Sequence, residues 1–168
     1  MNKKAGAIVY VSNTGHTERY AKMLADKLSL PLYELKEAKK KLKKGSEIIY
    51  MGWLFASSIK GYGKAKRRFC IKCVRGVGLC PTGGLLDEVR KTIKLHNDVP
   101  LFTLQGGMDY EKLVGINKIM IDGLTKAISS KKEKSEQDSA MLELLTTSGD
   151  FVSEDNLADV TNWWNMEQ

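Results

Sequence analysis

Several signatures are missing from this chain, and each absence removes a class of function. There is no Gly-x-Gly-x-x-Gly and no Gly-rich loop closed by Lys-Ser or Lys-Thr, which excludes the usual dinucleotide fingerprint and the nucleoside-triphosphate P-loop. No apolar stretch approaches the roughly 18 residues that span a bilayer, so a soluble, cytoplasmic protein is expected. Met1-Asn2-Lys3-Lys4 precedes an apolar run, but that run meets polar Ser12-Asn13 after seven residues with no small-residue cleavage site; it reads as a first strand, not a leader. Nothing repeats. Cysteine is scarce: Cys70, Cys73 and Cys80. Cys70-Ile71-Lys72-Cys73 has the spacing of a zinc half-site or a redox pair, yet there is no second pair and no histidine nearby. Residues three apart in a strand also point to opposite faces. No metal is expected, and the thiols are expected free and reduced.

The 168 residues suffice for one domain with a real core. Charge is unevenly spread along them. Residues 1–76 hold 18 basic against 5 acidic side chains, a net +13, and residues 77–168 hold 9 against 15, a net −6. A basic first half favours acidic partners or anionic lipid surfaces. The cluster Lys39-Lys40-Lys41 and Lys43-Lys44 has no interleaved aromatics, which argues against nucleic acid and leaves a solvated face as the plainer reading.

The stretch Gly6 to Ala21 organises the rest. Ala7 to Val11 is a short, β-branched, continuously apolar run, the pattern of a strand covered on both faces. Ser12-Asn13-Thr14-Gly15-His16-Thr17 follows, and then Tyr20, Leu24, Ala25 and Leu28 recur at helical spacing. A helix start near Thr17 offers unpaired N–H groups and a partial positive charge, to which Ser12, Thr14 and Thr17 add hydroxyls. This is a phosphate cradle; the alternative is a merely capped strand-to-helix turn. Without a Cys nucleophile followed by Arg, the turn does not suit a small phosphatase.

Further strands are expected at 30–35, 47–52 and 99–104, with one more leading into Val77. The third delivers the chain into Trp53-Leu54-Phe55-Ala56-Ser57, whose aromatics and small residues suit either the stacking of a flat heterocycle or plain core packing. Lys36 to Lys44 reads as a loop with a turn or two of helix, and 63–69 as a helix that is truncated or begins near Ser58. Val77-Gly78-Leu79-Cys80-Pro81-Thr82-Gly83-Gly84 is a second Gly-rich loop. A helix follows to His96-Asn97, where His96 reads as an exposed end residue. Ile116, Ile119, Met120, Gly123, Leu124 and Ala127 mark a long helix, residues 129–138 a charged connector, and Leu157, Val160, Trp163 and Trp164 a closing helix able to pack on the sheet.

The pattern Ser12-x-Thr14-Gly15-x-Thr17 resembles the phosphate loop of flavodoxins. That resemblance implies a flavodoxin-like α/β fold, doubly wound, with a five-stranded parallel sheet in the order 2-1-3-4-5, as a single domain over 1–168. It implies FMN as cofactor. Ser12, Asn13, Thr14, Gly15, His16 and Thr17 would hold its phosphate; Trp53, Leu54, Phe55, Ala56 and Ser57 with Val77, Gly78, Leu79, Cys80 and Thr82 would enclose its ring. The basic first half departs from that family, which is mostly acidic. The segment 105–149 is extra, and its order of elements resembles the insertion of the menaquinone-dependent protoporphyrinogen oxidases. No catalytic residue can be carried over from them. The implied function is an FMN-dependent oxidoreductase passing electrons to or from a quinone- or porphyrinogen-like molecule. The alternative is an electron carrier for an acidic redox partner protein, with Lys60, Lys64, Lys66, Arg67 and Arg68 rimming the flavin opening. Peripheral contact with an anionic membrane is compatible with either.

Overall fold

The computed structural model describes residues 5–166, so the leader question at Met1–Lys4 lies outside it. Strands β1 (Ala7–Val11), β2 (Leu32–Glu34), β3 (Glu47–Phe55), β5 (Cys70–Gly78) and β6 (Leu101–Gln105) form one parallel sheet in the order β2-β1-β3-β5-β6, and β4 (Ser58–Ile59) adds antiparallel to β3. With the small β4 left out of the count, this is the expected 2-1-3-4-5 order. The sheet is compatible with the flavodoxin-like layout.

Helices cover both faces. On one side α1 (His16–Leu28) and α7 (Ala158–Met166) place Tyr20, Leu24, Val160 and Trp164 against Ile8, Ile49, Met51 and Val77. On the other, α2 (Leu35–Lys41), α3 (Tyr62–Lys66) and α4 (Leu86–Ile93) bring Leu35, Ala65 and Val89 onto Val9, Ile48, Tyr50 and Val74. Burial on both faces explains why the central strands read as unbroken apolar runs. Each aliphatic side chain removed from water there contributes about 1.5–3 kcal/mol.

Two expectations need correction. The segment 53–57 is not a loop. β3 runs on through Trp53, Leu54 and Phe55, then turns tightly at Ala56 and Ser57, both left-handed (φ 47° and 59°), into β4. Two positive φ values are what a two-residue hairpin demands; here non-glycine residues supply them. The cations after Lys60 also do not ring one opening. Arg68 donates to the carbonyls of Lys39 and Leu42, and Lys66 lies over Tyr62 beside Phe69, so they run toward the amino-terminal end of the strands. The expected long helix at 116–127 is present, with Ile116 and Ile119 about 70% exposed on it. Cys70 is exposed at the start of β5 and Cys73 is buried.

After β6 the chain builds a cap before α7. It comprises β7 (Gly107–Met108), a 3-10 turn at Tyr110–Lys112, α5 (Gly115–Ser129), α6 (Glu136–Thr146) and β8 (Gly149–Asp150). Ser135 begins α6 with a capping box: its hydroxyl accepts from the Asp138 N–H while the Asp138 carboxylate accepts from the Ser135 N–H. β7 and β8 pair antiparallel and close the cap at its root. Gly107 is needed there, because its φ is +143° and a Cβ would meet the Gly149 carbonyl oxygen at 2.0 Å.

Candidate functional site

Strand order reverses between β1 and β3, and in an open α/β sheet ligands bind at that point, beyond the carboxyl ends of the strands. The turn 12–17 leaves β1 there. Gly15 caps α1 in a left-handed conformation, and the Ser12 hydroxyl accepts from the N–H groups of Gly15 (3.2 Å) and Glu18 (3.3 Å). Ser12 therefore shapes the turn. The Arg19 N–H bonds the Gly15 carbonyl, which leaves the N–H groups of His16 and Thr17 as first-turn donors without a helical acceptor. Thr17 is buried with its side chain at the cavity wall.

Thr14 Oγ1 lies 3.0 Å from Nδ1 of His16, whose Nε2 faces Asp150 at 3.9 Å. Asp150 in turn accepts from Arg19 at 2.5 Å, and that hydrogen bond holds its carboxyl below the usual range. Burial lowers the His16 pKa, against the opposing pull of Asp150. The ring rests on the backbone at Gly107. His16 thus joins the turn to the root of the cap, a link that the motif in the sequence does not signal.

One cavity gathers much of what the sequence singled out. Ser12, Asn13, Thr14, His16 and Thr17 line it from one side, and Trp53, Leu54, Val77, Gly78 and Leu79 from the other. Gly15, Phe55, Ala56, Ser57, Cys80 and Thr82 do not line it. Phe55 packs into the cap, Ala56 and Ser57 form the hairpin turn, and the Thr82 hydroxyl accepts from the Gln105 N–H. Burial pushes the Cys80 thiol up. Gly107, Met108 and Leu113, from the stretch 105–113 of the extra segment, also form the wall, and so does Ile121, which the sequence did not single out.

The cap is tied over this cavity. Asn117 of α5 donates to Asn13 of the turn (3.2 Å), Lys60 Nζ lies 3.9 Å from Met120 Sδ, and the same ammonium sits 5.2 Å from the Trp53 ring centre. Met108, Leu113 and Ile121 cluster with Phe55 and Leu79. The enclosed space is about 60 Å³, whereas pockets for drug-sized ligands run to about 300–1,000 Å³. An anion the size of phosphate meets open donors at the turn, but a tricyclic ring beside Trp53 needs Met108, Leu113 and Ile121 to withdraw.

No family model matches this chain. No curated protein and no solved structure matches it either.

Proposed function

We propose that the chain is a flavodoxin-like redox protein that binds FMN, and that it is an oxidoreductase acting on a quinone- or porphyrinogen-like small molecule. The observation carrying this reading is the meeting, at the switch point of a parallel sheet, of a hydroxyl-bearing helix start with Trp53-Leu54 and Val77-Gly78-Leu79 in one cavity. Bound FMN would supply the electron transfer; the chain supplies binding, orientation and exclusion of water. In this reading the His16 and Thr17 N–H groups and the Thr14 and Thr17 hydroxyls hold the phosphate, and Trp53 and Leu79 flank the ring once the cap has lifted. The enzyme is favoured over a carrier because the cap covers the cleft, where a carrier would present the ring edge to a partner protein.

Titration with FMN and with riboflavin tests the assignment. FMN is expected to bind more tightly, and Thr14→Ala with Thr17→Ala to weaken it at least tenfold, since a hydrogen bond to a charged group contributes about 1.5–3 kcal/mol. Riboflavin affinity should hardly change. Absence of FMN uptake, or equal loss for both ligands, would overturn the reading.

A further inference from the structure

We propose that the outward face of α5 docks on an anionic lipid surface. The helix is apolar on two sides. Ile121 and Ile128 turn inward onto Leu145 and its neighbours in the cap. On the opposite side Ile116, Ile119, Gly123 and Ala127 recur at three- and four-residue spacing and are all exposed, which places them in one stripe. Val114, immediately before the helix, extends it; these three aliphatics are 68–71% exposed.

Basic side chains flank the stripe on both sides. Lys118 and Lys126 follow one edge, with Lys118 Nζ 5.0 Å from the Tyr110 ring centre. Lys60 reaches the other edge at Met120. The carboxylate nearest the stripe, Asp122, accepts a hydrogen bond from the Tyr110 hydroxyl (2.5 Å). An apolar stripe between cations suits the boundary between acyl chains and anionic headgroups.

Size decides between a membrane and a protein partner. Three aliphatic side chains at this exposure offer roughly 200–300 Å², far below the roughly 800 Å² per partner of a stable protein interface. Shallow insertion into lipid needs only a few such side chains. α5 also walls the cavity through Ile121, so docking on its outer face would set the cavity one helix beneath the membrane surface.

Flotation with phosphatidylcholine vesicles, with and without about 30% phosphatidylglycerol, reads this directly. The wild-type chain should float with the anionic vesicles and not with the neutral ones. Ile116→Ser with Ile119→Ser should weaken that binding at least tenfold, and Lys118→Gln with Lys126→Gln should abolish the preference for anionic lipid, both with unchanged circular dichroism and melting. Failure of the wild-type chain to bind anionic vesicles, or full binding by the isoleucine variant, would overturn the proposal. So would a concentration-dependent dimer, lost in the isoleucine variant, from a chain that ignores lipid. The assay is indifferent to flavin, so its failure and failure of the FMN reading are told apart.

Discussion

In the sheet, Ile8, Val9, Ile48, Ile49, Tyr50, Met51 and Val74 have no exposed surface; in the cap, Leu145 and Leu113 keep 2–3% and Met108 and Ile121 6–7%, while neighbouring aliphatics stand in water. The two regions also differ in how they are held. The sheet is sewn by five parallel strands over two apolar layers. The cap rests on a two-residue ladder, one small cluster and a few polar ties such as Asn117 to Asn13. Local stability follows buried contacts and protected hydrogen bonds, so the cap, the roof of the site, is expected to open at lower cost than the sheet, its floor.

Substitution in the floor should cost most. Ile49→Ala removes a fully buried side chain from β3 and should destabilise by about 2–5 kcal/mol. Ile121→Ala in the cap should cost less than about 2 kcal/mol in global unfolding, because the cap can open without the sheet. It should nonetheless speed hydrogen exchange across α5 and α6. Urea denaturation with exchange measurements checks both, and equal global losses would mean that floor and roof unfold as one.

A smaller effect of opposite sign is expected at Arg75, the flaw in the floor. Its guanidinium is fully buried, stacked 5.0 Å from the Phe102 ring centre, and among the described residues its Nε and Nη1 have no hydrogen-bond partner. Its Nη2 donates to the Cys73 thiol at 3.9 Å, a weak acceptor. Burial lowers the Arg75 pKa, which expresses the cost of keeping this charge from water. Replacing a poorly compensated buried charge with an apolar group of similar volume is often stabilising, so Arg75→Met should raise stability by about 1–2 kcal/mol in the same denaturation assay. A loss of stability would show that the stacking on Phe102 outweighs the stranded charge.

The floor was legible in the sequence because its signal is redundant. Ala7–Val11 and Ile48–Gly52 are continuous apolar runs, and Tyr20, Leu24 and Ala25 repeat at helical spacing. In the roof the long helix showed in the sequence but its packing did not, for a physical reason: Ile116, Ile119, Ile121 and Ile128 are the same residue type, and only tertiary packing determines which of them meet the cap. The hairpin at Ala56-Ser57 was hidden likewise, since the positive φ values carry no glycine to announce them. In the site, the turn 12–17 showed itself through hydroxyls and glycine. Met108, Leu113 and Ile121 reach the cavity by a long return of the chain that no local spacing encodes.

The finest test of the comparison lies at the joint between the two regions, in the imidazole of His16. Its side chain is only 11% exposed, the ring lies against the backbone at Gly107, and the charges around it are Asp150, Arg19, Lys112 and Asp109. Burial favours the neutral ring and lowers its pKa from 6.5. Between the lowered value and 6.5 the unfolded or opened chain therefore binds a proton that the closed chain does not. Linkage then requires stability to be full above pH 6.5, to fall as the pH drops through that window, and to fall no further from this group below it. Because the ring is wedged at the root of the cap, the proton should act first on the roof. Hydrogen exchange in α5 and α6, corrected for the intrinsic pH dependence, should show opening favoured between pH 7 and 5, while β1 and β3 stay protected. His16→Asn should remove that pH dependence of opening. A cap whose opening is independent of pH across that range, or a sheet that loosens with it, would show that His16 does not mark the boundary between floor and roof.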